Sequence, residues 1–188
     1  LPLARAFAQY IVCEKRNGKV ALVAAAEPSL FGDLPEAETN DEAAEGMLDS
    51  CGVCSACKKA AGLIHPDIHY TYPVFVQKPG DKPKSTDFIS NWRKFMLEQP
   101  YGSNYDWLQF IGAENKQGNI YAEETADIIH KMSLKGFEAE YKILIIWMPE
   151  LLGKESNKLL KLIEEPPPNS LFILVAENED LLLPTILS

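Results

Sequence analysis

The run Tyr141-Lys-Ile-Leu-Ile-Ile-Trp-Met-Pro-Glu150 constrains the fold more than any other stretch. Ile143 to Ile146 are four consecutive aliphatic residues, three of them β-branched, with no polar position alternating between them. A strand with one face in water shows that alternation. A continuous run instead fits a central parallel strand buried on both faces. Such a strand needs a layer on each side, which points to an α/β architecture. Trp147 and Met148 follow directly, and neither side chain can hold a hard cation or accept a proton. Glu150 lies beyond Pro149.

The flanking segments supply the layers. Ala126, Ile128, Ile129 and Met132 are available for burial on a helix over about 123–133, and Glu123 and Glu124 suit its positive N-terminus. After the strand, Leu152, Leu159, Leu160 and Ile163 recur at helical spacing, and Pro166 to Pro168 end that helix. Leu171-Phe-Ile-Leu-Val-Ala176 reads as a further strand.

Three strings in this region are specific: Ser156-Asn-Lys-Leu-Leu-Lys-Leu-Ile-Glu-Glu-Pro-Pro167, the Leu171 strand, and Leu183-Pro-Thr-Ile-Leu-Ser188. Together they closely resemble bacterial DNA polymerase III clamp-loader subunits. The resemblance implies that residues 1–188 form part of a P-loop, AAA+ type three-layer parallel sheet with a small inserted zinc module. In P-loop ATPases the strand equivalent to 143–146 ends in Asp-Glu, which bind Mg²⁺ and polarise the attacking water. Trp147 and Met148 stand there instead. Leu1-Pro-Leu-Ala-Arg-Ala-Phe-Ala-Gln-Tyr-Ile-Val-Cys13 reads as a helix already under way. In the resembling family it follows the phosphate-binding loop, so Leu1 occupies the place of a Mg²⁺-ligating hydroxyl. After the Leu171 strand, Ala176 or Glu177 falls where a polar residue senses phosphate.

These three losses imply a non-hydrolysing, stator-like subunit of the clamp-loader complex. Its partners would be the motor and clamp-opening subunits, with the sliding clamp and primed DNA reached through the complex. By the same resemblance the phosphate loop lies upstream of Leu1, and an Arg finger one residue beyond Ser188. Two alternatives stay open: an active motor ATPase of the same family, and a zinc-stabilised protein-interaction module unrelated to replication.

Composition narrows the function classes. With 188 residues and 46% hydrophobic content, the chain can bury one sizeable core, and no stretch approaches the ~18 apolar residues of a membrane span. The formal charge is −9. Eight of the 27 acids lie between Glu27 and Asp49, a tract without Lys or Arg, and the other acids nearly balance the 18 basic residues. With no basic stripe, a direct grip on a phosphate backbone is not expected. The first residues lack a basic leader and a small-residue cleavage site, so a cytoplasmic location is expected.

Cys51-x2-Cys54-x2-Cys57 places three thiols in seven residues, with Gly52 permitting a tight turn. Zn²⁺ needs a fourth ligand. Cys13 is the remaining thiol, and His65 is the alternative; reduced metal-free thiols or a disulfide are the rival states of the cluster. His65 and His69 are four apart, but Pro66 opposes a helix aiming both at one ion. The resemblance favours Cys13, because clamp-loader subunits carry a zinc module whose first Cys closes the helix after the phosphate loop. Four thiolates would make the ion structural. The module would then span 13–57 and enclose an acidic insertion over 17–50, expected to be largely mobile. Closing so long a loop costs little extra.

The middle of the chain reads as packing. His65-Pro-Asp67, then His69 to Phe75, looks like a strand, and neither histidine has a nucleophile or acid at a diagnostic spacing. Gln77 to Lys84 is turn-rich. Phe88 to Leu97 forms an amphipathic helix with Phe88, Ile89, Trp92, Phe95 and Met96 as its apolar positions. Tyr101, Tyr105, Trp107, Leu108, Phe110 and Ile111 suggest a second short helix that packs rather than stacks on bases, since basic neighbours are absent. Asn119-Ile-Tyr121 is strand-like.

Overall fold

The computed structural model describes residues 1–18, 49–113, 116–152 and 157–182. Most of the acidic insertion (19–48), Ser156 and the Leu183–Ser188 motif lie outside the described residues.

Three parallel strands form the sheet: β1 (Ile68–Thr71), β2 (Lys142–Trp147) and β3 (Ser170–Val175), in the order β1-β2-β3. Ile68 pairs with Ile143, and Ile143 with Leu171. Every residue of β2 is buried. Ile143, Ile145 and Trp147 face one apolar cluster, and Leu144 and Ile146 face another. The unbroken aliphatic run therefore reflects a strand covered on both sides.

The first face is covered by α1 (Pro2–Val12), α2 (Ser55–Ala61), α3 (Ile89–Glu98) and α4 (Asn104–Phe110). Ala4, Ala8 and Val12 are the buried stripe of α1, and small side chains let that helix sit close. The second face is covered by α5 (Ala122–Ser133) and α6 (Asn157–Glu164), with Ile128, Met132 and Leu159 buried against Leu144 and Ile146. The result is a mixed α/β fold in three layers.

The largest block of the first core is aromatic. Tyr72 stacks on Trp92 at 3.9 Å between centroids, and Trp92 lies 5.2 Å from Trp107 and 5.3 Å from Trp147. The Trp107 indole N–H donates to the Pro73 carbonyl at 2.7 Å, so its one polar atom is satisfied.

Three expectations change. Tyr101 and Tyr105 are 87% and 69% exposed, because Trp107 takes the inward face of the seven-residue α4 and Tyr105 falls on the other side. Asn119–Tyr121 is no extended strand: Asn119 bridges Val74 antiparallel and Ile120 bridges Leu152 parallel, so two different segments meet single residues and no ladder grows. Ala126 is exposed, since it lies nearly opposite Ile128 on α5, and Glu124 and Thr125 take the buried places. No helix among the described residues is long and apolar enough to cross a membrane.

Candidate functional site: a four-cysteine centre and a closed strand end

The cysteine centre forms where the end of α1 meets the start of α2. Cys13 leaves α1 in extended conformation (φ −61°, ψ 117°), its N–H still bonded to the Tyr10 carbonyl. Gly52 takes φ +69°, the left-handed value glycine adopts without strain, and turns the chain from Cys51 to Cys54. Cys54 caps α2, its Sγ accepting the Cys57 N–H at 3.4 Å. The Cys51 Sγ accepts from Cys54 N–H at 3.3 Å, and the Cys13 Sγ from Cys51 N–H at 3.4 Å. Glu14 accepts the Ala56 N–H at 3.2 Å, fastening the first turn of α2 to the end of α1.

All four Sγ atoms lie within 4.8 Å of one another, with Cys51 and Cys57 at 3.9 Å. A tetrahedral ion with thiolates at ~2.3 Å spaces its sulfurs about 3.8 Å apart. The donor set is soft and complete, so the residues fit Zn²⁺ and leave no position for a substrate. Cys13 and Cys57 are buried, Cys51 and Cys54 half-buried. The Cys54 N–H, above all, draws the Cys51 thiol down to about 6, while burial pushes Cys57 up. His65 stands outside the set: it is buried, and its Nδ1 accepts the Asp67 N–H at 3.1 Å.

The centre is tied to the rest of the fold by charge. Arg5 donates to the Met96 carbonyl on α3 at 3.1 Å and to the Ala61 carbonyl at 3.5 Å, and Arg93 of α3 donates to the Leu63 carbonyl at 3.0 Å. Both cations thus sit at the C-terminal end of α2, where unpaired carbonyls carry negative partial charge.

At the C-terminal ends of β2 and β3 the chain closes on itself. Trp147 and Met148 are each 5% exposed, Trp147 packed into the aromatic block. Met148 takes φ +58°, and Pro149 starts a 3-10 turn to Leu151. Glu150 is the one acid within residues 147–150, and its Oε1 accepts the backbone N–H of Glu177 at 3.0 Å. That carboxylate joins the turn after β2 to the turn after β3.

The family described as "DNA polymerase III, delta subunit" matches residues 34–188, more than half of the chain. The chain belongs to this clamp-loader family of DNA polymerase III. No curated protein matches it. Among solved structures it is similar to a DNA polymerase III, gamma subunit-related protein from Thermotoga maritima, at 28% identity and a TM-score of 0.35. That alignment covers 36% of this chain and 23% of the other, so it takes in less than a quarter of the solved protein.

For this clamp-loader chain the cysteines were readable from spacing, whereas the buried polar groups around the sheet were not. Asp67 is 1% exposed and accepts the backbone N–H groups of Phe137, Glu138 and Ala139 at 2.6, 2.7 and 2.8 Å. Glu124 is 2% exposed and accepts from the Thr71 hydroxyl at 3.0 Å and the Ser85 N–H at 2.6 Å. Lys142 is buried and donates to the Lys131 and Leu134 carbonyls at the end of α5. The place of Asp67 after His65-Pro66, just ahead of a strand, was a weak signal. For Glu124 only the helix-start position was visible.

Proposed function

We propose that this chain is a non-hydrolysing subunit of the DNA polymerase III clamp loader, of the delta-prime type. It helps load the sliding clamp on primed DNA as a stator against which motor subunits act. The observation that carries this reading is the burial of Trp147 and Met148 at the end of β2. A nucleotide-hydrolysing relative needs acids at that point, open to Mg²⁺ and water. Here the position is filled by an indole within an aromatic block, and Glu150 is bonded to the Glu177 backbone. On the turn after β3, Ala176 has no polar side chain to offer a phosphate, and the carboxylate of Glu177 would repel one.

Cys13, Cys51, Cys54 and Cys57 hold a structural Zn²⁺ in this reading. The partners are the motor and clamp-opening subunits; the clamp and DNA are reached through them, because the chain carries no basic stripe of its own. The test is to tag the full-length protein in its own cells and identify stoichiometric partners by mass spectrometry. Recovery of motor and clamp-opening subunits, with no Mg·ATP turnover by the purified protein alone, is the expected result. Absence of those subunits, or turnover by the isolated protein, would overturn the reading.

A further inference from the structure

We infer that Glu14 is the positioning residue of the four-cysteine centre: acting as a hydrogen-bond acceptor and not as a charge, it fixes the start of α2 so that Cys54 and Cys57 meet Cys13, and the affinity for Zn²⁺ depends on it. The inference rests on the zinc reading above and adds a residue outside the ligand set.

Three of the thiols lie close together in sequence, whereas Cys13 comes from 38 positions before Cys51. The centre therefore closes only where the end of α1 is held against the start of α2. Gln9 donates to the Ser50 hydroxyl at 3.0 Å, beside Cys51, and the Cys51 N–H reaches the Cys13 sulfur at 3.4 Å. These bonds place the Cys51 arm. The arm carrying Cys54 and Cys57 is placed by Glu14, whose Oε1 accepts the Ala56 N–H at 3.2 Å across 42 positions. Asn17 secures the turn that carries Glu14: its N–H bonds to the Cys13 carbonyl at 3.2 Å and its side chain donates to the Ile11 carbonyl at 2.8 Å.

Helix α2 needs an acceptor from elsewhere. It has seven residues, too few to hold by itself, and no acid in its own first turn. Its Cys57 N–H goes to the Cys54 sulfur, and its Ala56 N–H goes to Glu14. At the other end Arg5 of α1 donates to the Ala61 carbonyl. One helix thus grips the other at both ends. Ala56 lies between Cys54 and Cys57, so releasing its N–H loosens both sulfurs together. Fewer molecules then hold all four thiols ready, and apparent affinity falls with that fraction.

Charge alone would not put a carboxylate here. Four thiolates around a divalent ion keep a net negative charge, and Glu14 adds another beside it. Reach and an acceptor oxygen are what the centre uses. Gln keeps both and drops the charge, whereas Asp keeps the charge and loses a methylene of reach.

The test is competition for Zn²⁺ between the full-length protein and a chromophoric chelator, together with hydrogen exchange at Ala56 in the zinc-loaded protein. Glu14→Ala and Glu14→Asp should each weaken zinc binding about tenfold or more and expose the Ala56 amide, while Glu14→Gln stays close to the parent in both. If Glu14→Ala does not fold, the comparison of Asp with Gln decides. Co²⁺ in place of Zn²⁺ should give the same thiolate charge-transfer bands in every variant; altered bands in Glu14→Gln would make Glu14 a ligand and overturn the positioning role. The inference also fails if Glu14→Asp binds like the parent and Glu14→Gln does not, since charge would then be what counts. Variants that melt lower yet hold zinc as tightly as the parent would reduce the contact to a prop for α2, and the inference falls while the zinc reading stands. A parent that binds no zinc overturns both.

Discussion

Asp67 and Glu124 are both almost inaccessible to water, yet their carboxyl groups respond in opposite senses. Burial pushes Asp67 up, but three backbone N–H donors outweigh it and hold the group below the ordinary 3.8. Glu124 has two donors, burial prevails, and its carboxyl lies above the ordinary 4.5. The signs of linkage follow. Asp67 contributes stability that is present above about pH 3.8 and lost as pH falls through its lower folded value. Glu124 contributes stability that is full below pH 4.5 and lost as pH rises through its higher folded value. Asp67→Asn should therefore cost about 1.5–3 kcal/mol near pH 7, the range for hydrogen bonds to a charged group. The gap from the parent should narrow only in strong acid, as urea melts across pH would show. For Glu124→Gln the same melts should move in favour of the variant as pH rises from 4.5, because the amide has no charge to desolvate. A gap that moved the other way would show that the charge of Lys131, which acts on Glu124, outweighs its burial. Little of this was readable from sequence. Glu124 looked like a surface charge at a helix start, and only the convergence of Thr71 and Ser85 from other segments makes it a core residue. His69 is lowered to about 4 by burial first and then by Lys131 and Lys142, which leaves it neutral near pH 7.

Among the elements, α1 and α2 depend on the cysteine centre most directly. Their junction consists of four thiols, three N–H to sulfur bonds and the Glu14 cap, with few large apolar side chains: α2 buries only Ala56, Cys57 and Ala60. If Zn²⁺ occupies the centre, elemental analysis of protein purified without chelator should find one ion per chain. Cys13→Ser should abolish binding and destabilise the fold by more than about 4 kcal/mol, as loss of a structural metal does. Exchange protection should fall first in 2–12 and 55–61. Zinc-free protein with unchanged protection would refute the assignment. Three of these cysteines were legible from their spacing alone. Cys13 was reached by elimination and by resemblance, and its position at the end of α1 supplies the physical reason: a helix terminus frees the side chain while the helix fixes its distance from α2. The outward turn of Tyr101 and Tyr105 was not legible, because a run of six apolar residues does not say which of them a two-turn helix can bury.

At the scale of the whole molecule, the sheet was legible because β2 is central and covered on both faces, which leaves an unmistakable aliphatic run. The end of that strand carries a sharper expectation. If the chain hydrolyses no nucleotide, as proposed above, and only because acids are missing, Trp147→Asp together with Met148→Glu would restore Mg²⁺ binding. The packing argues otherwise: the indole fills the aromatic block, and replacing it with a carboxylate leaves a void and buries a charge. The double variant should lose more than about 4 kcal/mol of stability and gain no ATP turnover, measured by thermal melting and phosphate release. A folded, hydrolysing variant would show the site to be dormant rather than rebuilt.

The aromatic block also makes the protein its own reporter. The chain has three tryptophans, all buried in that block, with Trp92 within 5.3 Å of both others. Rings this close share their excited states, so near-ultraviolet dichroism and intrinsic emission arise from a single place at the sheet, while the cysteine centre contributes no indole. If Zn²⁺ occupies the centre, a chelator titration followed by tryptophan light alone would stay silent until damage there had reached the aromatic block. The lag between that signal and amide exchange at α1 and α2 would measure how far the two halves of the first layer melt as one.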